Sequence, residues 1–228
     1  MTALGDGPTR STLQRALDIR VGSSERWLPT QGDAYRSLNL SIQSSLIPTT
    51  SILDWKVDGS LTALVMIQLL LEPYPVNPFL VYAAFFQSPE CLDFLLSPYL
   101  EYKPEHLLAM IRDPETRELV AAVLAHTPDE TFTTAEAVAM HPLLSRAIAS
   151  DVIKSPISMF YQPRDPEQHK ALIRLLLSEL LIGHATPWEL RQFQSFSTGL
   201  RLGICGVDDI VKVCDPVCHP WILRLTTA

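Results

Sequence analysis

The sequence predicts a mainly α fold, an irregular multi-helix array with few short strands possible near residues 37–55. Three observations predict it. Residues 58–86 are the most apolar stretch, and Pro73 and Pro75 divide them into two helix-length runs. An oxygen-bearing residue followed by proline recurs at Asn77-Pro78, Ser88-Pro89, Asp113-Pro114, Asp165-Pro166 and Thr186-Pro187. Each pair offers a cap and a pre-set φ at the first helical position, which is how helices start. No fixed-period repeat is present, so the helices are not expected to stack as a solenoid.

Residues 1–10, with Gly5, Gly7 and Pro8, read as a loop; residues 12–19 suit a short helix closed by Gly22-Ser23-Ser24. Residues 27–55 mix Pro29, Gly32, Asn39 and Pro48 with the β-prone fragments 37–42 and 51–55, so one or two short strands are the most this region is expected to hold. From Leu61 to Leu71 only Thr62 and Gln68 are polar, and Gly and Pro are absent, the pattern of a helix buried nearly all round. At about 1.5 Å per residue this run falls well short of a bilayer core of roughly 30 Å, so it reads as core and not as a membrane span. Asn77 and Pro78 then open a second core helix, residues 78–86. Burial of Leu64, Ile67, Leu71, Phe79, Tyr82 and Phe86 is expected to contribute roughly 1.5–3 kcal/mol each before chain entropy is subtracted.

Further helices are expected at residues 89–97, 104–112, 114–126, 133–140, 143–153, 166–182, 187–198, 207–213 and 217–225. Thr186 with Glu189, and Thr133 with Glu136, have the capping-box form. Gly183 and Gly199 stand where helix-ending residues belong. The chain as a whole, 1–228, reads as one helical domain. Residues 126–134 and 155–165 read as linkers, and the chain at 127–165 is either a small subdomain or another part of the core.

Composition narrows the function classes. The chain has 25 acidic and 18 basic residues, a net charge of −7, and no basic cluster, so nucleic acid is not an expected partner. Its four cysteines, Cys91, Cys205, Cys214 and Cys218, are too few and too unevenly placed for a disulfide framework, which fits a reducing compartment. No basic-then-apolar leader opens the sequence, and the cytoplasm or nucleus is the expected location. Cys205, Cys214, Cys218 and His219 form C-x8-C-x3-C-H, but only the Cys214/Cys218 pair has zinc-site spacing, so buried thiols are the better reading and no metal or cofactor is expected. The metalloprotease, α/β-hydrolase and P-loop signatures are absent, and no catalytic residue is assigned. Acidic residues such as Asp208, Asp209, Glu101 and Glu105 have no nucleophile paired with them in sequence and read as solvated surface. Met159, Phe160 and Tyr161 lie in a loop-like segment between Pro156 and Pro163. They either anchor a protein interface or fold back onto the core.

Several segments together resemble the large N-terminal lobe of HECT-type ubiquitin ligases in a divergent, fungal form. Gly5-Asp6-Gly7-Pro8-Thr9-Arg10 resembles the glycine-rich turn ending in Thr-Arg that opens that lobe, although Ser11 stands where the family usually has Glu. The run Asp58-Gly59-Ser60-Leu61-Thr62-Ala63-Leu64, leading to Pro75-Val76-Asn77-Pro78-Phe79-Leu80, resembles the family's glycine-led apolar helix and the helix after it. Residues 91–108, and Leu181-Ile182-Gly183 with Glu189-Leu190 and residues 193–199, resemble two further segments. The resemblance implies a transferase partnered by a ubiquitin-conjugating enzyme and a protein substrate. In that family ubiquitin passes through a thioester on a cysteine of a separate lobe. None of the four cysteines here has the family's Thr-Cys-Phe-like setting, so the nucleophile is carried over to none. By chain order, residues 127–165 correspond to the family's enzyme-docking subdomain, which assigns Met159, Phe160 and Tyr161 to partner binding. The alternative is a non-enzymatic helical scaffold or interaction domain.

Overall fold

A computed structural model describes residues 6–41, 47–69, 73–88, 108–109, 111–131 and 162–201, with the backbone alone at 6–10 and 67–69. The fold is mainly α, as expected. The helices are α1 (Asp6–Val21), α2 (Thr49–Leu69), α3 (Pro78–Phe86), α4 (Pro114–Ala125), α5 (Pro166–Ile182) and α6 (Arg191–Leu200). An antiparallel hairpin of β1 (Trp27–Thr30) and β2 (Tyr35–Leu38) follows α1. The chain divides into two compact units, one of Met1–Ser88 with Trp188–Ala228 and one of Pro89–Pro187. Among the described residues no helix is long and apolar enough to cross a membrane.

In the first unit, α2 packs against both α1 and α6. The crossing of α2 and α6 is set by two glycines. A Cβ added to Gly59 would lie 2.0 Å from the Phe196 carbonyl oxygen, and one added to Gly199 would lie 1.9 Å from that of Lys56. Backbone therefore meets backbone. Serine hydroxyls tie the crossing down, Ser195 donating to the Ile52 carbonyl at 2.6 Å and Ser197 to the Ala84 carbonyl of α3. The residues α6 buries, Gln192, Phe193, Phe196, Ser197, Gly199 and Leu200, recur at helical spacing on one face.

Asp58, with no exposed side-chain surface, is the polar centre of this unit. It accepts from the Arg20 guanidinium of α1, from Arg26 Nε at 3.3 Å and from the Trp27 indole at 3.1 Å. Arg20 also reaches Asp54 at 2.9 Å. Burial works against the charge on Arg20, but the two carboxylates outweigh it and raise its pKa. Trp27 then stacks edge-on against Phe196, with ring centroids 5.8 Å apart, so one residue of the hairpin touches both the charge cluster and α6.

The hairpin is also tied to α3. Arg36 donates its backbone N–H to the Pro75 carbonyl and accepts from the Asn77 N–H at 2.8 Å, forming a parallel bridge to Val76. Asn77, fully buried, caps α3 through Oδ1, which accepts from the Phe79 N–H at 3.0 Å. Asn77→Ala is expected to cost about 1–2 kcal/mol, the upper range for a lost N-cap, read as a lowered midpoint in urea denaturation.

Several expectations need correction. Residues 51–55 are helical, because α2 begins at Thr49, well before Leu61. Their β propensity yields to the tertiary contacts of Asp54 and Asp58. Thr62 is buried despite its hydroxyl, which donates back to the Asp58 carbonyl at 2.8 Å, whereas Leu64 is 39% exposed. The first helix starts at Asp6, where a loop was expected; Pro8 falls in the first turn, where its missing N–H costs no helical bond. The only described strand within residues 37–55 is the end of β2. Residues 187–189 form a 3-10 turn and α6 begins at Arg191 without a side-chain cap, so the Thr186 capping box does not form. The Thr186 hydroxyl is buried with no hydrogen-bond partner among the described residues. Gly199 lies inside α6 as a contact and does not terminate it. Helix α5 agrees with expectation to the residue: Asp165 caps it, and Gly183, at φ 97°, closes it through N–H bonds to Ser178 and Glu179. The helices expected at 89–97, 133–140, 143–153, 207–213 and 217–225 lie outside the described residues.

Candidate functional site

The residues singled out for partner binding, Met159, Phe160 and Tyr161, lie outside the described residues, as do the four cysteines and His219. What the structure describes is the place where that part of the chain leaves and returns, residues 126–131 and 162–165 in the unit Pro89–Pro187. Two helices frame it. Helix α4 starts at Asp113, whose carboxylate accepts from the N–H and hydroxyl of Thr116, and these bonds hold the Asp113 pKa below its ordinary value. Helix α4 ends at Ala125 with His126 as its C-cap, and α5 starts immediately after Asp165. The two helices pack against each other, Val120 and Val123 facing inward on one and Leu172, Ile173 and Leu176 on the other.

Arg164 joins the two ends. Only 5% exposed, it donates its backbone N–H to the Pro128 carbonyl at 2.9 Å and its Nη2 to the carbonyls of Glu130 at 2.8 Å and Thr127 at 3.3 Å. A planar guanidinium with five fixed donors can bridge carbonyls in this way, which a lysine ammonium cannot match. Burial lowers the Arg164 pKa from its ordinary value. The turn it grips is closed from within, since the Thr127 N–H donates to the Glu130 carboxylate at 2.9 Å, and that bond lowers the Glu130 pKa. The same carboxylate lies 3.8 Å from His126 Nδ1.

Arg164 Nε donates to His169 Nδ1 at 3.2 Å. A ring nitrogen that accepts carries no proton, so His169 is the neutral tautomer with its proton on Nε2. A further hydrogen bond runs between this ring and the His126 backbone. Burial, then the positive charge of Arg164, push the His169 pKa below its ordinary value. His126, His169 and Lys170 line a cavity of about 280 Å³ whose remaining walls are Val123, Leu124 and Ile173.

Sequence reasoning passed over Arg164, His126 and His169. The one local signal is position, since Arg164 stands directly before the Asp165-Pro166 helix start. Among the described residues no group of three or more His, Cys, Asp or Glu is placed to hold a metal ion. In the first unit a wider groove, about 760 Å³, runs between α1 and the hairpin past Gln14, Asp18, Asp33, Arg36 and Tyr74. Its charged groups are partly spent internally, Arg36 lying 3.5 Å from Asp33. Compared with known proteins, the chain matches no family model, no curated protein and no solved structure.

Proposed function

We propose that the chain is a HECT-like large lobe that docks a ubiquitin-conjugating enzyme for the transfer of ubiquitin to substrate lysines, with none of its four cysteines acting as the ubiquitin acceptor. The observation that carries this reading is the chain order of the two units. Pro89–Pro187 is one continuous stretch between the two parts of a discontinuous unit, and residues 127–165, the expected docking subdomain, fall within it. Supporting it, Arg164 ties the described residues that flank 132–161 to one another, through the carbonyls of Thr127, Pro128 and Glu130. A partner-binding role for those three side chains accords with the way apolar and aromatic anchors dominate interfaces.

Titration calorimetry of the full chain against a panel of ubiquitin-conjugating enzymes tests this. Binding to at least one member is expected, weakened roughly tenfold or more when Met159, Phe160 and Tyr161 are all replaced by alanine. Binding by no member, or unchanged binding by the triple variant, would remove the docking role.

A second reading, a non-enzymatic interaction domain, is favoured by the surface of α2. Leu53, Val57 and Leu64 are 59%, 49% and 39% exposed and stand at i, i+4 and i+11 on one face of the helix. An apolar stripe of this kind is a candidate surface for a helical partner.

A further inference from the structure

We propose that residues 126–131 and 162–165 form a proton-sensitive clamp, closed while His169 is neutral and released when His169 takes up a proton. The clamp responds to pH whichever partner the chain binds.

The closed geometry favours the neutral ring. His169 Nδ1 is the acceptor for Arg164 Nε at 3.2 Å, and Arg164 in turn grips the carbonyls of Thr127 and Glu130. A proton on Nδ1 would aim an N–H at an N–H and set a second positive charge against the guanidinium. Three further groups bear on the ring. His126, at the end of α4, contributes its backbone and a small repulsion. Lys170, next to His169 on α5, is a second cation at the same cavity. The Glu130 carboxylate is the nearby anion, and it is engaged by the Thr127 N–H and lies against His126. The balance of charge around His169 therefore resists its protonation. His169 is half-buried and lines the cavity between α4 and α5, where a proton can reach it.

The direction of the effect follows from linkage. The folded ring, its pKa lowered, takes a proton less readily than the ring in the unfolded chain. The closed clamp is therefore fully stable above the ordinary histidine pKa of about 6.5 and weakens as pH falls through the lowered value.

Amide hydrogen exchange of the Arg164 N–H, which is bonded to the Pro128 carbonyl, reads the clamp in the full chain. After correction for intrinsic exchange, its protection factor is expected to fall roughly tenfold or more between about pH 7.5 and about pH 5, the loss of one charge-assisted hydrogen bond. His169→Gln keeps an acceptor for Arg164 without a titrating group and is expected to abolish this fall, whereas His126→Gln is expected to retain it. Constant protection in the unmodified chain, or an unchanged fall in His169→Gln, would overturn the proposal.

Discussion

Replacing Gly199 by alanine is expected to destabilise the first unit by about 3 kcal/mol, at or beyond the upper range for overpacking a core. Intrinsic helix propensity makes the opposite forecast, since alanine in a helix interior is favoured over glycine by about 1 kcal/mol. The sign of the change thus decides between a solvent-facing helix end and a backbone contact. The added Cβ would stand 1.9 Å from the Lys56 carbonyl oxygen and 2.9 Å from the Ser60 nitrogen, both main-chain atoms of α2 that cannot rotate away. Gly59→Ala meets the same obstacle from the other side, 2.0 Å from the Phe196 carbonyl oxygen. Because both substitutions separate the same two helices, their effects should be strongly non-additive in a double variant. Equilibrium denaturation in urea measures all three. A raised midpoint for either single variant would show that the helices do not cross in contact.

Loss of the Asp58 carboxylate is the second large effect. Asp58→Ala is expected to cost about 3–5 kcal/mol, the range for removing one partner of a buried ion pair. Its carboxylate is fully buried while Arg20 and Arg26 keep 26% and 20% of their side-chain surface. The variant therefore leaves two partly solvated cations facing each other and deprives the Trp27 indole of its acceptor. Asp54→Ala is the internal control. Its carboxylate also pairs with Arg20 but is 43% exposed, and a cost of no more than about 1 kcal/mol is expected. Near-equal losses for the two variants, measured by denaturation, would show that Asp58 is not the centre of the cluster.

These two features show which parts of the fold the sequence discloses. Helices α3 and α5 were legible to the residue because their starts are local chemistry, Asn77-Pro78 and Asp165-Pro166, each with a carbonyl-type oxygen over free N–H groups. The first half of α2 was not, because β-prone residues 51–55 are held helical by partners on α1 and the hairpin. Gly199 reads locally as a terminator, and only the approach of Lys56, far away in sequence, reveals it as a contact. The Thr186 box failed although its residues were in place, since the chain tightens into a 3-10 turn at Pro187. At the clamp, Arg164 serves carbonyls 34 and 37 residues earlier in the chain. No spacing rule connects such positions, so neither Arg164 nor His169 stood out. The apolar stripe of α2 was hidden for the opposite reason. Leu64 sits within a run apolar enough to read as buried, yet it is 39% exposed.

The most direct test of the docking reading is a hydrogen-exchange footprint of the full chain, alone and saturated with a ubiquitin-conjugating enzyme that binds it. New protection is expected within Pro89–Pro187, centred on the peptide containing Met159, Phe160 and Tyr161, with α2 unchanged. Protection confined to the Leu53, Val57 and Leu64 face of α2, or no footprint with any conjugating enzyme, would contradict it.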